Sequence, residues 1–197
     1  MSQSTTVISP EDILVRTQLT PNPYALKFVI NQPVKNEGKA MFSSVQEAEG
    51  LPLVYNMFLI DGVRQVHLFQ NTITVTHTGE LESGDLAEQV ISVVKTRMTV
   101  HDANFVMPGE KAVKSRDRSH LSVELQMIEE ILDRTIRPGL QADGGDIEAL
   151  SFENNELKIL YQGACGGCPS SMAGTLDAIQ GILRQELNND TLRVAPV

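Results

Sequence analysis

At 197 residues the chain suits one large domain or two of ordinary size, and its 41% hydrophobic and 21% charged content is that of a packed protein, not a disordered one. Its longest strictly apolar run is Met57 to Ile60, too short to cross a bilayer or to form a signal-peptide core, so no membrane partner is expected. A net charge of −9, no Trp and 5% aromatics argue against a nucleic-acid partner, because an acidic surface repels phosphate and few rings are available for stacking on bases.

Residues 1 to 12 are rich in Ser and Thr and hold Glu11 and Asp12 but no basic residue. They read as a frayed terminus and not as an Arg-rich transit peptide, which points to a cytoplasmic protein. The disordered stretch is placed at 1–16.

From Thr20 the sequence is T-P-N-P-Y-A-L-K-F-V-I-N, an extended entry fixed by two prolines and followed by a strand from Leu26 to Ile30. Ser44 and Glu47 have capping-box spacing, but Gly50 and Pro52 break the helix this would start, predicting two short helical pieces. Asp61-Gly62 turns the chain into Val63 to Phe69, and Gln70-Asn71 leads to Thr72 to Thr76, a half-buried hairpin. Asp85 with Glu88 offers a cap for a helix carrying Leu86, Val90, Val93, Val94 and Met98 on one face. The first domain, 17–104, therefore reads β-α-β-β-α.

Between Asn104 and Ser119 the periodicity stops, Pro108-Gly109 breaks the chain, and Lys111, Lys114, Arg116 and Arg118 stand among polar residues. This is read as a solvated linker, 105–119. In the second domain, 120–197, Leu121, Leu125, Ile128, Leu132 and Ile136 mark a helix ended by Pro138-Gly139. The turn Q-A-D-G-G-D leads to a strand from Ile147 to Phe152, and Asn154-Asn155 makes a tight connection to Leu157 to Tyr161. Pro169 opens a helix with an apolar stripe of Met172, Leu176, Ile179, Leu183 and Leu187, and Leu192 to Val194 forms a last strand. The expected fold class is α+β: two small α/β domains, β-α-β-β-α and then α-β-β-α-β, with a C-x-x-C loop before the second helix of the latter.

The whole chain has two cysteines, Cys165 and Cys168, in G-A-C-G-G-C-P-S-S-M. Disulfide frameworks spread cysteines along a chain, whereas two set three apart read as chemistry in a reducing compartment. A helix N-terminus favours an anion over a neutral thiol, so both sulfurs are expected to ionise readily. Gly166 and Gly167 let the loop curl so that both face one way. An iron-sulfur cluster or an all-thiolate zinc site typically takes four protein thiolates. One chain supplies two, so a two-fold symmetric homodimer is the simplest way to complete the set. A redox dithiol uses the same motif, but only 29 residues follow Cys168, too few for a thioredoxin-type domain. Zinc bridging a structural dimer uses the same ligands.

Asp143 and Asp146 are read as turn residues, and Ser170 and Ser171 either as ordinary helix-start polarity or as donors to a cluster. His67, His77, His101 and His120 show no ligand spacing.

G-A-C-G-G-C-P-S-S, with R-P-G-L-Q-A-D-G-G-D upstream, resembles the C-terminal domain of the NifU/Nfu iron-sulfur scaffold family over about 121–197. T-P-N-P-Y-A-L-K-F, and L-I-D-G-V-R-Q-V followed by I-T-V-T, resemble the Nfu-type N-terminal domain over about 17–104. The resemblance implies a scaffold or carrier and no enzyme. It would assemble a labile 4Fe-4S cluster bridging two subunits, or a 2Fe-2S species, and deliver it to apo-proteins. Cys165 and Cys168 would be the metal and cofactor ligands, and Asp143, Gly144, Gly145 and Asp146 would match the family motif without ligating. A thiol-disulfide oxidoreductase and a zinc-bridged structural dimer are the alternatives.

Overall fold

The computed structural model describes residues 9–107, 118, 121–165 and 169–197, apart from the side chains of 169–173. The chain forms two compact units, Met1–Leu19 with Tyr24–Gly109, and Thr20–Pro23 with Glu110–Val197. Both mix helix and strand, giving an α+β fold.

The first unit is a five-stranded antiparallel sheet in the order β1-β2-β5-β4-β3. Its strands are β1 Val15–Leu19, β2 Ala25–Ile30, β3 Lys35–Phe42, β4 Val63–Gln70 and β5 Thr72–His77, joined by helices α1 Pro52–Phe58 and α2 Ser83–Arg97. Alternation along each strand sends one row of side chains to the core. The register aligns Leu26, Val75, Val66 and Phe42 across four strands, and beside them Phe28, Ile73, Leu68 and Ala40. These pack with Leu53, Val54 and Met57 of α1 and Leu86, Val90 and Val94 of α2.

This order adds two strands to the expected β-α-β-β-α. β1 occupies residues to which no element was assigned; its start lies inside the stretch placed at 1–16, where a 3-10 turn at Pro10–Asp12 precedes it. Ile13, fully buried, ties that segment into the core. β3 is also unexpected, because Gly38 and a register shift between Lys35 and Lys39 break its pattern. The two short helical pieces are present, a 3-10 turn at Gln46–Ala48 and α1. The capping box near Ser44 is replaced by the Ser43 N–H donating to the Glu47 carboxylate at 2.8 Å.

The second unit has helices α3 Val123–Thr135, α4 Arg137–Ala142 and α5 Pro169–Leu187, and strands β6 Gly145–Glu153, β7 Glu156–Gly163 and β8 Arg193–Pro196. β6 and β7 are an antiparallel hairpin, and β8 adds parallel to β7. The hairpin turn rests on Asn154 and Asn155, both at positive φ, as a two-residue connection of this hand requires. Leu125, Ile128 and Leu132 of α3, Ile147, Leu157 and Ile159 of the sheet, and Ile179 and Leu183 of α5 form its core. Pro138, expected to end a helix, sits in the first turn of α4, where its missing N–H costs nothing.

Within the expected linker, residues 108–117 and 119 lie outside the described residues. Arg118 is not solvated: its Nη2 meets Glu129 and Asp133 of α3, each at 2.8 Å. Among the described residues no helix is long and apolar enough to cross a membrane.

Candidate functional site

Cys165 follows the end of β7, and what fixes it comes from the other side of the hairpin. β6 and β7 begin and end opposite each other, with Gly145 paired to Gly163 and Asp146 to Gln162. The chain reaches β6 from α4 through Gly144, whose φ of +80° suits glycine. The Ala164 N–H then donates to the Gly144 carbonyl at 3.1 Å, closing the turn over the strand ends.

This closure brings Cys165 against Gly145. A Cβ built on Gly145 would overlap the Cys165 Sγ, and would lie 2.9 Å from its N and 3.0 Å from its Cβ. The second glycine of D-G-G-D is therefore the hollow in which the cysteine sits.

The turn itself is Asp143-Gly144, and Asp146, expected in a turn, is almost fully buried as the second residue of β6. Its Oδ1 accepts from the Ile147 N–H at 2.7 Å, and its Oδ2 from the Gln141 side-chain amide at 3.3 Å. Arg137 braces the same place. Its Nε lies 3.7 Å from Asp146 Oδ1, and it donates to the Ile147 carbonyl at 3.3 Å. Its Nη atoms pair with Glu129 at 2.7 Å and Asp133 at 2.6 Å. Burial pushes the guanidinium pKa down, but hydrogen bonds and charge from Glu129 and then Asp133 outweigh it and hold Arg137 protonated. One largely buried cation thus joins α3, α4 and β6.

The expectation that both sulfurs ionise readily fails for Cys165. Burial, and then the carboxylates of Asp143 and Asp146, push its thiol up to about 12. The helix-terminus effect falls off within a turn, and Cys165 precedes Pro169 by four positions, between acidic groups. Cys165 also lines a cavity of about 50 Å³ with Leu140, Asp143, Tyr161, Ala164 and Thr175. Tyr161 is 6% exposed, and burial followed by the charge of Cys165 pushes its phenol up to about 12.

Cys168, Gly166, Gly167 and His120, and the side chains of Ser170, Ser171 and Met172, lie outside the described residues. Asp143 and Asp146 are drawn to Cys165 as the motif alone did not require. His67 and His77 are buried on β4 and β5 of the first unit, and the His101 ring nitrogen meets the Val34 carbonyl at 2.7 Å. Among the described residues no group of three or more His, Cys, Asp or Glu could hold a metal ion. Sequence reading missed Gly145 as a contact, Arg137 as a brace and Tyr161 as a wall. The one available signal was a Tyr ending the inward stripe Leu157, Ile159, Tyr161, four positions before the cysteine.

Two family profiles match: "NifU-like domain" over residues 128–194 and "Scaffold protein Nfu/NifU N terminal" over residues 15–101. The Arabidopsis thaliana "NifU-like protein 4, mitochondrial" is 35% identical over 174 residues, covering 87% of this chain and 62% of that protein. The Homo sapiens "NFU1 iron-sulfur cluster scaffold homolog, mitochondrial" is 32% identical over 173 residues, covering 87% of this chain and 67% of the relative. The chain spans about 62% of the length of the first curated relatives it matches. A solution structure of a NifU-like protein from Saccharomyces cerevisiae aligns at 16% identity and a TM-score of 0.40, covering 50% of this chain and 85% of that one. These relatives are named mitochondrial, which overturns the cytoplasmic placement; the lack of basic residues in the first twelve positions is no guide to it. With both of its halves matched in chain order, and at 32% identity to a relative of which it covers 67%, the chain belongs to the NifU/Nfu scaffold family.

Proposed function

We propose that this protein is a carrier that holds an iron-sulfur cluster as cargo between two copies of itself and passes it to apo-proteins. The observation that carries the reading is the ligand count. Cys165 and Cys168 are the only thiols in the chain, and a cluster takes four. Two chains, each offering one C-x-x-C loop, supply them in a closed symmetric arrangement. The scaffold names of the relatives support the same reading.

In this reading the second domain, 120–197, holds the cargo through Cys165 and Cys168. The first, 17–104, makes partner contacts, and 105–119 joins them. The cargo is 4Fe-4S when shared by two chains, or 2Fe-2S. Transfer is ligand exchange. Each iron–sulfur bond to a carrier cysteine breaks as one forms to a recipient thiolate, and the proton lost by the recipient thiol ends on the departing cysteine. No electron moves and no covalent intermediate with a small substrate forms, so the protein acts as a scaffold and not as an enzyme. A site made of two halves opens when the halves part.

Anaerobic reconstitution with iron and sulfide tests the reading. The wild type should take up about two irons and two sulfides per chain, as a shared four-iron cluster requires, and Cys165→Ser and Cys168→Ser should each lose them. The loaded protein should then restore activity to a cluster-requiring apo-enzyme faster than free iron and sulfide do. Uptake of half a zinc per chain with no sulfide would instead mark a zinc-bridged dimer.

A further inference from the structure

Along β7 the residues turned to the core are Leu157, Ile159 and Tyr161, so a phenol stands at the end of an otherwise aliphatic row. A buried Tyr hydroxyl must meet a polar partner, and the cavity that Tyr161 lines is also lined by Cys165. At about 50 Å³ this space has room for a few waters beside the two side chains. Gly145 holds Cys165 against β6, and Ile147 on that strand pairs with Tyr161. The thiol and the phenol are thus fixed by one hairpin. A phenol keeps its proton at neutral pH, so the Tyr161 hydroxyl is available as a donor.

We propose that Tyr161 is a positioning and tuning residue: its hydroxyl donates a hydrogen bond to the thiolate sulfur of Cys165, the sulfur bound to iron in the loaded protein. The inference rests on the carrier reading for its iron-bound half only. A donor to a ligand sulfur draws charge from the cluster, favours its reduced form and raises its potential, and it slows loss of the ligand.

The test uses full-length wild type, Tyr161→Phe and Thr175→Val, because Thr175 is the other hydroxyl residue lining this cavity among those described. After anaerobic loading, Tyr161→Phe should hold the same iron per chain, show a lower midpoint potential, and lose iron to a chelator about tenfold faster, the scale of one hydrogen bond to a charged acceptor. Unchanged potential and release in Tyr161→Phe, or the shift appearing in Thr175→Val instead, would overturn the proposal. A second arm needs no metal. In a Cys168→Ser background, Tyr161→Phe should slow iodoacetamide alkylation of Cys165 at one fixed pH, and an unchanged rate would contradict the hydrogen bond. If even the wild type takes up no iron, the carrier reading fails alone, and the alkylation rates still decide the contact.

Discussion

Gly145 and Cys165, twenty positions apart, occupy one space: the cysteine sulfur lies where any side chain at Gly145 would begin. Gly145→Ala therefore cannot be absorbed by a side-chain rotation, since the new Cβ also meets the Cys165 backbone nitrogen at 2.9 Å. The substitution should lower stability by about 1–3 kcal/mol, the usual cost of overpacking, and should abolish iron uptake. Denaturant titration and iron analysis read the two effects, and a variant that loads iron normally would show that the cysteine does not need this hollow.

Gly181 is the matched control. It lies within α5 with nothing within 4 Å of an added Cβ, so Ala there gains helix propensity without a clash. Gly181→Ala should raise stability by about 0.5–1 kcal/mol, leaving iron uptake unchanged, as measured by thermal unfolding and iron analysis.

Arg137 neutralises two carboxylates in a poorly hydrated place, with side-chain exposures of 11% for itself, 12% for Glu129 and 19% for Asp133. Arg137→Ala leaves those charges with fewer partners and should cost about 3–5 kcal/mol near neutral pH. The pH dependence has a fixed sign. Burial pushes the Asp133 carboxyl up, but hydrogen bonds and charge from Arg137 and Arg118 outweigh it, so its pKa in the folded protein is lowered. Its contribution is present above the unfolded carboxyl pKa and is lost as pH falls through the folded value. The gap between wild type and variant should therefore narrow on acidification, which chemical denaturation at a series of pH values would follow.

Cys165 should be a slow nucleophile in the metal-free protein. In a Cys168→Ser background its alkylation rate should rise steeply from about pH 7 to about pH 10 without reaching a plateau, because the thiolate is scarce until the pH nears its raised pKa. Asp143→Asn removes one of the two carboxylates that raise that pKa and should speed the reaction throughout. A plateau below about pH 8 would mean that the helix terminus governs this sulfur after all.

Much of this architecture is set by local pattern. The stripes of α2, α3 and α5 repeat at helical spacing, Gln70-Asn71 and Asn154-Asn155 announce the two hairpins, and alternation marks β5 and, Leu160 apart, β7. β1 is hidden because V-R-T-Q-L is short and buries little, with Leu19 exposed: it is an edge strand whose structure comes from pairing with β2. β3 is hidden by its polar start and its bulge. At the site, the C-x-x-C pair is what the sequence offers as candidate ligands. Its surroundings are not legible there, because Gly145 reaches Cys165 through the strand register and Arg137 reaches Asp146 across the start of α4. Those contacts exist only once the hairpin has closed. The sequence therefore names candidate ligands but not the acidic, buried setting that governs Cys165.

The mass of the anaerobically loaded protein under native conditions tests the central claim most directly. Two chains of 21.6 kDa together with one inorganic core are expected, and the pair should fall to single chains when a chelator strips the iron. A loaded species with the mass of one chain, and no small thiol bound to complete the coordination, would contradict the shared site.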